Sequence, residues 1–313
     1  MTSASIRPRV DDSDGRVRHY GVFYGVDALP EGDGPLVVVL GNCQAEAVRV
    51  LLDGSPSRGV RSVRVPPVFE MTEDDVVHLG LLLERTDVLV GQPIKDDYRG
   101  MPLGTAQVAQ ALAPGAQVVR IPVSFYAGLY PWQVLVRTPE SGDPPGVPYH
   151  DLRTVLEAAD GTRPPDRLDA DGIREISRAS VAELRRREDA AGTVRVSDVL
   201  LEAGADACHV VNHPGNTLLV ALARRVQEQL GLPVDAQDPG RTLLSELFAP
   251  LDPRVVDALD LDAEPRTGWT RRGEHVPDDE VREVQLAWLA DHPDIVRLTL
   301  ERHAGTARLL GLR

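Results

Sequence analysis

The feature that most constrains the fold is a run of apolar residues that breaks into a helical pattern, at residues 36–52. Five consecutive apolar residues, 36–40, are typical of a strand covered on both faces. Apolar residues recur at helical spacing over 45–52. The turn between them, 41–44, aims backbone N–H groups and the positive end of the helix at one point, where Cys43 carries a thiol.

The same alternation continues to residue 122 and predicts the fold class. Further strands are predicted at 60–65, 87–90 and 117–121, and helices at 72–83 and 108–113. Alternating strands and helices indicate an α/β fold with a small parallel sheet flanked by helices. Ligands of such sheets bind outside the carboxyl ends of the strands, so we expect the loops at 41–44, 91–99 and 122–131 to face one crevice.

Beyond residue 148 the pattern becomes mostly helical. Helices are predicted at 151–159, 172–187, 197–203, 216–230, 242–248, 277–290 and 292–309. The predicted organisation is a disordered N-terminus (1–17), an α/β core (18–137) that begins with an edge strand at 18–26, a Pro/Gly loop (138–148), a helical part that completes the site with His213 (149–235), and a helical C-terminal extension (236–313).

Composition excludes several classes of protein. The net charge of −14 argues against nucleic acid or an anionic membrane as a partner. The two cysteines lack the spacing of a disulfide framework or a zinc site, so no metal is predicted. No run approaches the ~18 apolar residues of a membrane helix, and the first residues lack the apolar segment of a signal peptide. We therefore expect a cytoplasmic protein in which Cys43 remains a thiol.

Cys43 and His213 are the candidate catalytic residues. A cysteine at a helix N-terminus has a lowered pKa and reacts as the thiolate, although an isolated cysteine is often only a small buried residue. A thiol nucleophile also needs a base. His213 lies between Asn212 and Pro214, and the proline restricts the direction of its side chain, although a histidine before a proline is also a common turn residue.

Several other polar residues are candidates for substrate binding. Amide and backbone donors of an oxyanion hole are predicted at Gly41, Asn42, Gln44 and Gln92, with Asn212 as a further substrate contact. The alternative is that these amides only tie loops together. Cations for cofactor phosphates are predicted at Lys95, Arg99 and Arg120, and the alternative for these is plain solvation. The aromatic patch at 124–132 is expected to line a pocket for an acyl chain, a sugar or an adenine, or to plug the sheet.

Taken in order, these motifs resemble one known family. They are Val38-Val39-Leu40-Gly41-Asn42-Cys43-Gln44, residues 87–94, Ile121-Pro122, Gly128-Leu129-Tyr130-Pro131 and Asn212-His213-Pro214. Over about residues 35–235 the chain resembles the WcbI-type polysaccharide-biosynthesis family. The resemblance implies a protein that binds coenzyme A or acetyl-coenzyme A, taken to be an acetyltransferase, with a Cys–His pair that corresponds to Cys43 and His213.

The layout is also similar to that of SGNH-type hydrolases, with Cys43 where those enzymes have a serine. The chain lacks their Gly-Asp-Ser form, which argues against a simple esterase. The predicted function is acetyl transfer from acetyl-coenzyme A to a hydroxyl or amine of a sugar or other small acceptor. A thiol esterase or thioesterase, and a non-catalytic coenzyme A-binding module, are the alternatives. Neither the acceptor nor the oligomeric state follows from the sequence.

Overall fold

The computed structural model describes residues 15–165 and 169–312. The chain forms two compact units. Unit 1 contains the chain through Val123 together with Ala191–Val194 and Leu219–Pro239. Unit 2 contains Ser124–Ala190, Arg195–Leu218 and the chain from Gly240 onwards. In the described part of the chain, no helix has both the length and the apolar character needed to cross a membrane.

Unit 1 is built on a four-stranded parallel sheet, and this confirms the predicted α/β fold class. Its elements are α1 (Gly15–His19), β1 (Leu36–Leu40), α2 (Cys43–Asp53), β2 (Arg61–Val63), α3 (Glu73–Leu83), β3 (Val88–Gly91), α4 (Thr105–Gln110) and β4 (Gln117–Arg120). The strand order is β2-β1-β3-β4, and every neighbouring pair is parallel. The order reverses between β1 and β3, and such a reversal is where doubly wound sheets bind ligands.

The centre of the sheet is fully apolar. Val37 and Val38 of β1 and Leu89 and Val90 of β3 have no exposed surface, because both faces of these strands are covered. In the sheet register Val38 pairs with Leu89 on one side and with Val63 on the other. The continuous apolar run seen in the sequence is therefore the central strand of the sheet.

Unit 2 is mostly helical and has only short strands. The elements that follow β4 along the chain are β5 (Gln133–Val134), β6 (His150–Asp151), α5 (Leu152–Asp160), α6 (Ala170–Ala191), β7 (Cys208–Val210), β8 (His213–Pro214), α7 (Asn216–Gln229), β9 (Leu247–Phe248), α8 (Pro253–Leu259), β10 (Gly268–Arg271), β11 (Glu274–Pro277), α9 (Asp278–Ala290), α10 (Pro293–Arg302) and α11 (Ala304–Leu309). They belong mainly to unit 2, except α7, whose residues from Leu219 onwards belong to unit 1. The strands form two pairs, β5-β6 and β7-β8, and one three-stranded sheet, β11-β10-β9.

The predicted edge strand at 18–26 is wrong. Helix α1 and a series of turns occupy this segment. Arg16 Nε donates to the Tyr24 hydroxyl at 2.8 Å, and that hydroxyl donates to Asp75 Oδ1 at 2.7 Å. Because Asp75 is far along the chain, local sequence does not reveal this network. Of the segment predicted to be disordered, 1–17, residues 15–17 lie in α1, and residues 1–14 lie outside the described part.

Two predicted helices are also wrong. Residues 197–203 form turns that lead into a short 3-10 helix, Gly204–Ala207. The carboxylate of buried Glu188 accepts hydrogen bonds from the Val196 and Ser197 N–H groups, at 2.7 and 3.0 Å, before these turns. Residues 242–248 form turns that end in β9, and the segment from 236 onwards contains the β9–β11 sheet in addition to its helices.

Candidate functional site

The turn that carries Cys43 joins β1 to α2 inside unit 1. Cys43 is the first residue of α2, is partly exposed and forms no disulfide. Asn42 caps the helix, because its Oδ1 accepts a hydrogen bond from the Gln44 N–H at 2.9 Å. The apolar strand before the turn and the cap after it fix where the thiol lies.

Gln92 holds this turn from the neighbouring strand. Its side chain is buried, with 2% of the residue exposed, and its Oε1 accepts from the Asn42 N–H at 2.8 Å. Its Nε2 donates to the Pro122 carbonyl at 3.4 Å. A Cβ at position 41 would overlap Gln92 Oε1, so the close approach requires a glycine there. The structure thus brings together Gly41, Asn42, Gln44 and Gln92.

The three predicted cations lie at the carboxyl ends of β3 and β4 or in the loop that follows β3. Lys95 is exposed and is the only lysine in the sequence. Arg99 is exposed, has a left-handed backbone (φ 55°) and donates to the Phe69 carbonyl. Arg120 is the last residue of β4 and donates through one nitrogen to the Ala191 carbonyl at 3.4 Å. Each arginine retains further N–H groups for an anion.

His213 lies in unit 2, in the short strand β8 that pairs with β7. Burial lowers the pKa of its imidazole to about 4. The neighbouring ring of His209 also lowers this pKa, whereas the carboxylate of Glu246 raises it. The ring is therefore neutral near pH 7.

The segment before His213 is held on several sides. The Val211 N–H donates to Gln133 Oε1 at 2.8 Å, and the Val211 carbonyl accepts from the Tyr126 N–H at 2.7 Å. Asn212 Oδ1 accepts from the Tyr149 hydroxyl at 2.6 Å. Sequence reasoning missed Gln133 and Tyr149, because neither belongs to a motif and both contacts span more than 60 residues.

The aromatic patch at 124–132 is an internal part of unit 2. Tyr126, Tyr130 and Trp132 are each at most 6% exposed. The Tyr130 hydroxyl donates to the Cys208 carbonyl at 3.1 Å and accepts from Arg266 Nη2 at 3.0 Å. Tyr130 and Trp132 also line a pocket in this unit.

The geometry defines a class of protein: a doubly wound α/β unit that presents a thiol on the turn at its switch point. Comparison with known proteins identifies the family. The model of the polysaccharide biosynthesis enzyme WcbI matches residues 36–235. The chain therefore belongs to the WcbI family, which confirms the resemblance seen in the sequence motifs.

A solved structure supports the fold over almost the whole chain. The structure of WcbI, described as a novel polysaccharide biosynthesis enzyme, aligns with a TM-score of 0.74 at 20% identity and covers 89% of this chain and 98% of its own. That structure is described as the native protein without a disulfide bond between coenzyme A and one of its cysteines. No curated protein sequence matches the chain.

Proposed function

We propose that the protein is an acyltransferase that moves an acetyl group from acetyl-coenzyme A to a hydroxyl or amine of a saccharide or other small acceptor. The observation that carries this proposal is the position of Cys43, on the first turn of α2 beside the switch point of the sheet. A thiol at the N-terminal end of a helix is favoured as the reactive thiolate. Membership in the WcbI family supports coenzyme A as the ligand, because the solved WcbI structure is described in relation to coenzyme A.

The first route passes through an acetyl-enzyme. The neutral His213 imidazole takes the Cys43 proton, and the thiolate attacks the thioester carbonyl. The bond from carbonyl carbon to coenzyme A sulfur breaks, and the leaving thiolate takes the proton back from His213. The acceptor then gives its proton to His213 and attacks the acetyl-cysteine, which returns Cys43 as the thiolate and then, by reprotonation, as the thiol.

The second route needs no covalent intermediate. His213 takes the proton of the acceptor, the acceptor oxygen or nitrogen attacks the thioester directly, and the proton passes from His213 to the departing coenzyme A thiolate. Cys43 then shapes the site without reacting. The two routes share His213 as the base and differ in the role of Cys43.

Lys95, Arg99 and Arg120 are proposed to meet the phosphates of coenzyme A. Charge-assisted bonds from these side chains to phosphate are stronger than neutral hydrogen bonds. We expect Arg99→Ala to weaken coenzyme A binding by about tenfold or more. Arg85→Ala is a matched control. Arg85 is exposed and lies between α3 and β3, at the amino end of β3, whereas Arg99 follows the carboxyl end of that strand. Equal affinities of the two variants would remove Arg99 from the phosphate site.

Single-turnover peptide mapping with acetyl-coenzyme A separates the routes. We expect an acetyl group on Cys43 in the wild type and in Cys208→Ala, and none in Cys43→Ala. Because Lys95 is the only lysine, acetyl transfer to a lysine would map to one position. Acceptor turnover without an adduct, retained in Cys43→Ala, would favour the second route. Release of coenzyme A without any acceptor would indicate a thioesterase, and binding without turnover would overturn the enzymatic proposal.

A further inference from the structure

Unit 2 contains a pocket that the proposed chemistry of Cys43 and His213 does not use. It has an empty volume of about 550 Å³ and lies where β6 leads into α5 and β11 leads into α9. This space includes open solvent at the mouth of the pocket. Its polar lining includes Trp132, Asp151, Arg153, Asp278 and Arg282.

The arginines of the pocket are already paired with carboxylates. Arg153 Nε lies 3.0 Å from Asp151 Oδ1, and Arg282 Nε lies 2.9 Å from Glu157 Oε2. His150, also in the lining, has its pKa lowered to about 4 by burial and is therefore neutral. The pocket thus offers no uncompensated cation to a phosphate, which argues against an anionic ligand.

Asp278 offers a hydrogen-bond acceptor. Its Oδ1 accepts from the indole Nε1 of Trp269 at 3.1 Å, whereas its Oδ2 has no partner among the residues the structure describes. Burial raises the pKa of this carboxyl, and the neighbouring Asp151 adds to the effect. A neutral donor such as a hydroxyl group satisfies this oxygen without a second charge.

Trp132 offers a donor. The residue is only 6% exposed, and its indole Nε1 is buried with no hydrogen-bond partner in the described part of the chain. An indole N–H left unsatisfied in this way costs about 1–3 kcal/mol and is stabilised by any oxygen that reaches it.

The two indole rings of the pocket contact neighbouring side chains. The guanidinium carbons of Arg153 and Arg254 lie 4.3 and 5.2 Å from the centroid of the Trp132 ring. Trp269 is stacked on Tyr149 with an interplanar angle of 13°. These contacts cover part of the two indole rings, whereas Asp278 and the Trp132 N–H offer an acceptor and a donor.

We infer that the unit 2 pocket binds a neutral, hydroxyl-rich ligand, a saccharide unit, with Asp278 accepting from one hydroxyl group and Trp132 donating to another. The role of such a ligand as acetyl acceptor rests on the proposed function, but its binding does not.

Saturation-transfer NMR without coenzyme A tests the inference, with D-glucose, D-galactose, D-mannose and N-acetyl-D-glucosamine as probes. We expect saturable binding of at least one sugar. Asp278→Asn should weaken it by about tenfold or more, and Trp132→Phe, which keeps the ring but loses the N–H, by about 3- to 10-fold. Asp279→Asn is the matched control, because it removes the same charge from the same helix turn and does not line the pocket.

Three results would overturn the inference. They are the absence of saturable binding for all four sugars, full affinity in both pocket variants, and displacement of the bound sugar by inorganic phosphate or AMP. Acetylation of Cys43 is measured without any sugar, so a failure of the sugar site and a failure of the proposed acyl transfer are distinguishable.

Discussion

The segments that carry Cys43 and His213 are held by the same kind of contact in different surroundings. In unit 1, Gln92 Oε1 accepts from a backbone N–H beside Cys43, and in unit 2, Gln133 Oε1 accepts from a backbone N–H two residues before His213, both at 2.8 Å. Both glutamines are buried. In each case a side-chain amide oxygen accepts a hydrogen bond from a backbone N–H group that lies outside the strands.

The surroundings differ in how far regular structure extends. Gln92 immediately follows a strand of a four-stranded parallel sheet whose centre is apolar. Gln133 lies in a strand of two residues, and long side chains hold the nearby loops. Gln285, for example, donates to the carbonyls of Val147 and Tyr149 at 3.2 and 2.8 Å. Unit 1 is therefore organised by local pattern and burial, and unit 2 by polar contacts between distant residues.

The largest expected effect tests the apolar sheet of unit 1. Leu89 pairs with Val38 and has no exposed surface, so Leu89→Ala should lower the free energy of unfolding by about 2–5 kcal/mol. The control is Val118→Ala in the edge strand β4, where the side chain is 38% exposed and the loss should be smaller. Urea unfolding measures both. Equal losses would contradict a core centred on β1 and β3.

Substitution of Gln92 should affect activity next most strongly. Gln92→Leu removes the acceptor for the Asn42 N–H, and displacing a reactive group by about 1 Å typically costs on the order of 10² in rate. Gln92→Glu keeps an oxygen acceptor of the same length and should recover most of the activity. If the Gln92 amide instead served as an oxyanion donor, the glutamate variant would be as slow as the leucine variant. The readout is kcat for acetyl transfer.

In unit 2 the matching change is Gln133→Leu. It leaves the N–H of Val211, a residue with no exposed surface, without its acceptor and should cost about 1–3 kcal/mol of stability. Gln133→Glu should cost less, because an oxygen remains in place. All three tryptophans lie in unit 2, so tryptophan fluorescence during urea unfolding follows this unit. A leucine variant as stable as the wild type would show that the contact does not hold the segment.

A fall in pH should destabilise mainly unit 2. Burial lowers the pKa of His150 and of His213 from 6.5 to about 4, so the unfolded chain protonates these rings first. The free energy of unfolding should fall as the pH drops from 6.5 towards 4.

Unit 1 should respond in the same window only through His78, whose pKa burial also lowers. Its Asp75 carboxyl acts at lower pH. Burial raises the pKa of this carboxyl, but hydrogen bonds from Tyr24 and Thr72 outweigh burial and lower the pKa below 3.8. The contribution of Asp75 to the free energy of unfolding is therefore lost only in stronger acid. Tryptophan fluorescence for unit 2 and hydrogen exchange for unit 1 measure the two responses. Equal losses between pH 6.5 and 4 would contradict the difference.

The parallel sheet could be predicted because apolar runs in this sequence end at Gly or Pro. The run at 36–40 coincides with β1, and the other predicted strands of the sheet differ from the observed ones by one to three residues at their ends. The same pattern placed Gln92 beside the Cys43 turn. The pattern did not indicate whether the oxygen or the nitrogen of the Gln92 amide would contact the turn. The orientation of the amide is set by the Asn42 N–H, which donates to its oxygen, and by the Pro122 carbonyl, which accepts from its nitrogen.

Other elements depend on contacts that no local pattern reveals. Helix α1 is fixed by Asp75, and the turns after α6 begin where Glu188 accepts from backbone N–H groups. The β10–β11 hairpin did have a local signal. Its two turn residues, Arg272 and Gly273, both have positive φ, of 50° and 85°, and a residue followed by glycine between two short β-prone runs is typical of such a turn.

The close approach of Gly41 to Gln92 has an evolutionary consequence. Since a side chain at position 41 would occupy the place of the Gln92 amide oxygen, position 41 cannot gain a side chain while glutamine at 92 keeps this position. Among related sequences the two positions should therefore covary, with glycine at 41 wherever glutamine stands at 92. A family branch with a shorter residue at 92 is where a side chain at 41 should first be found.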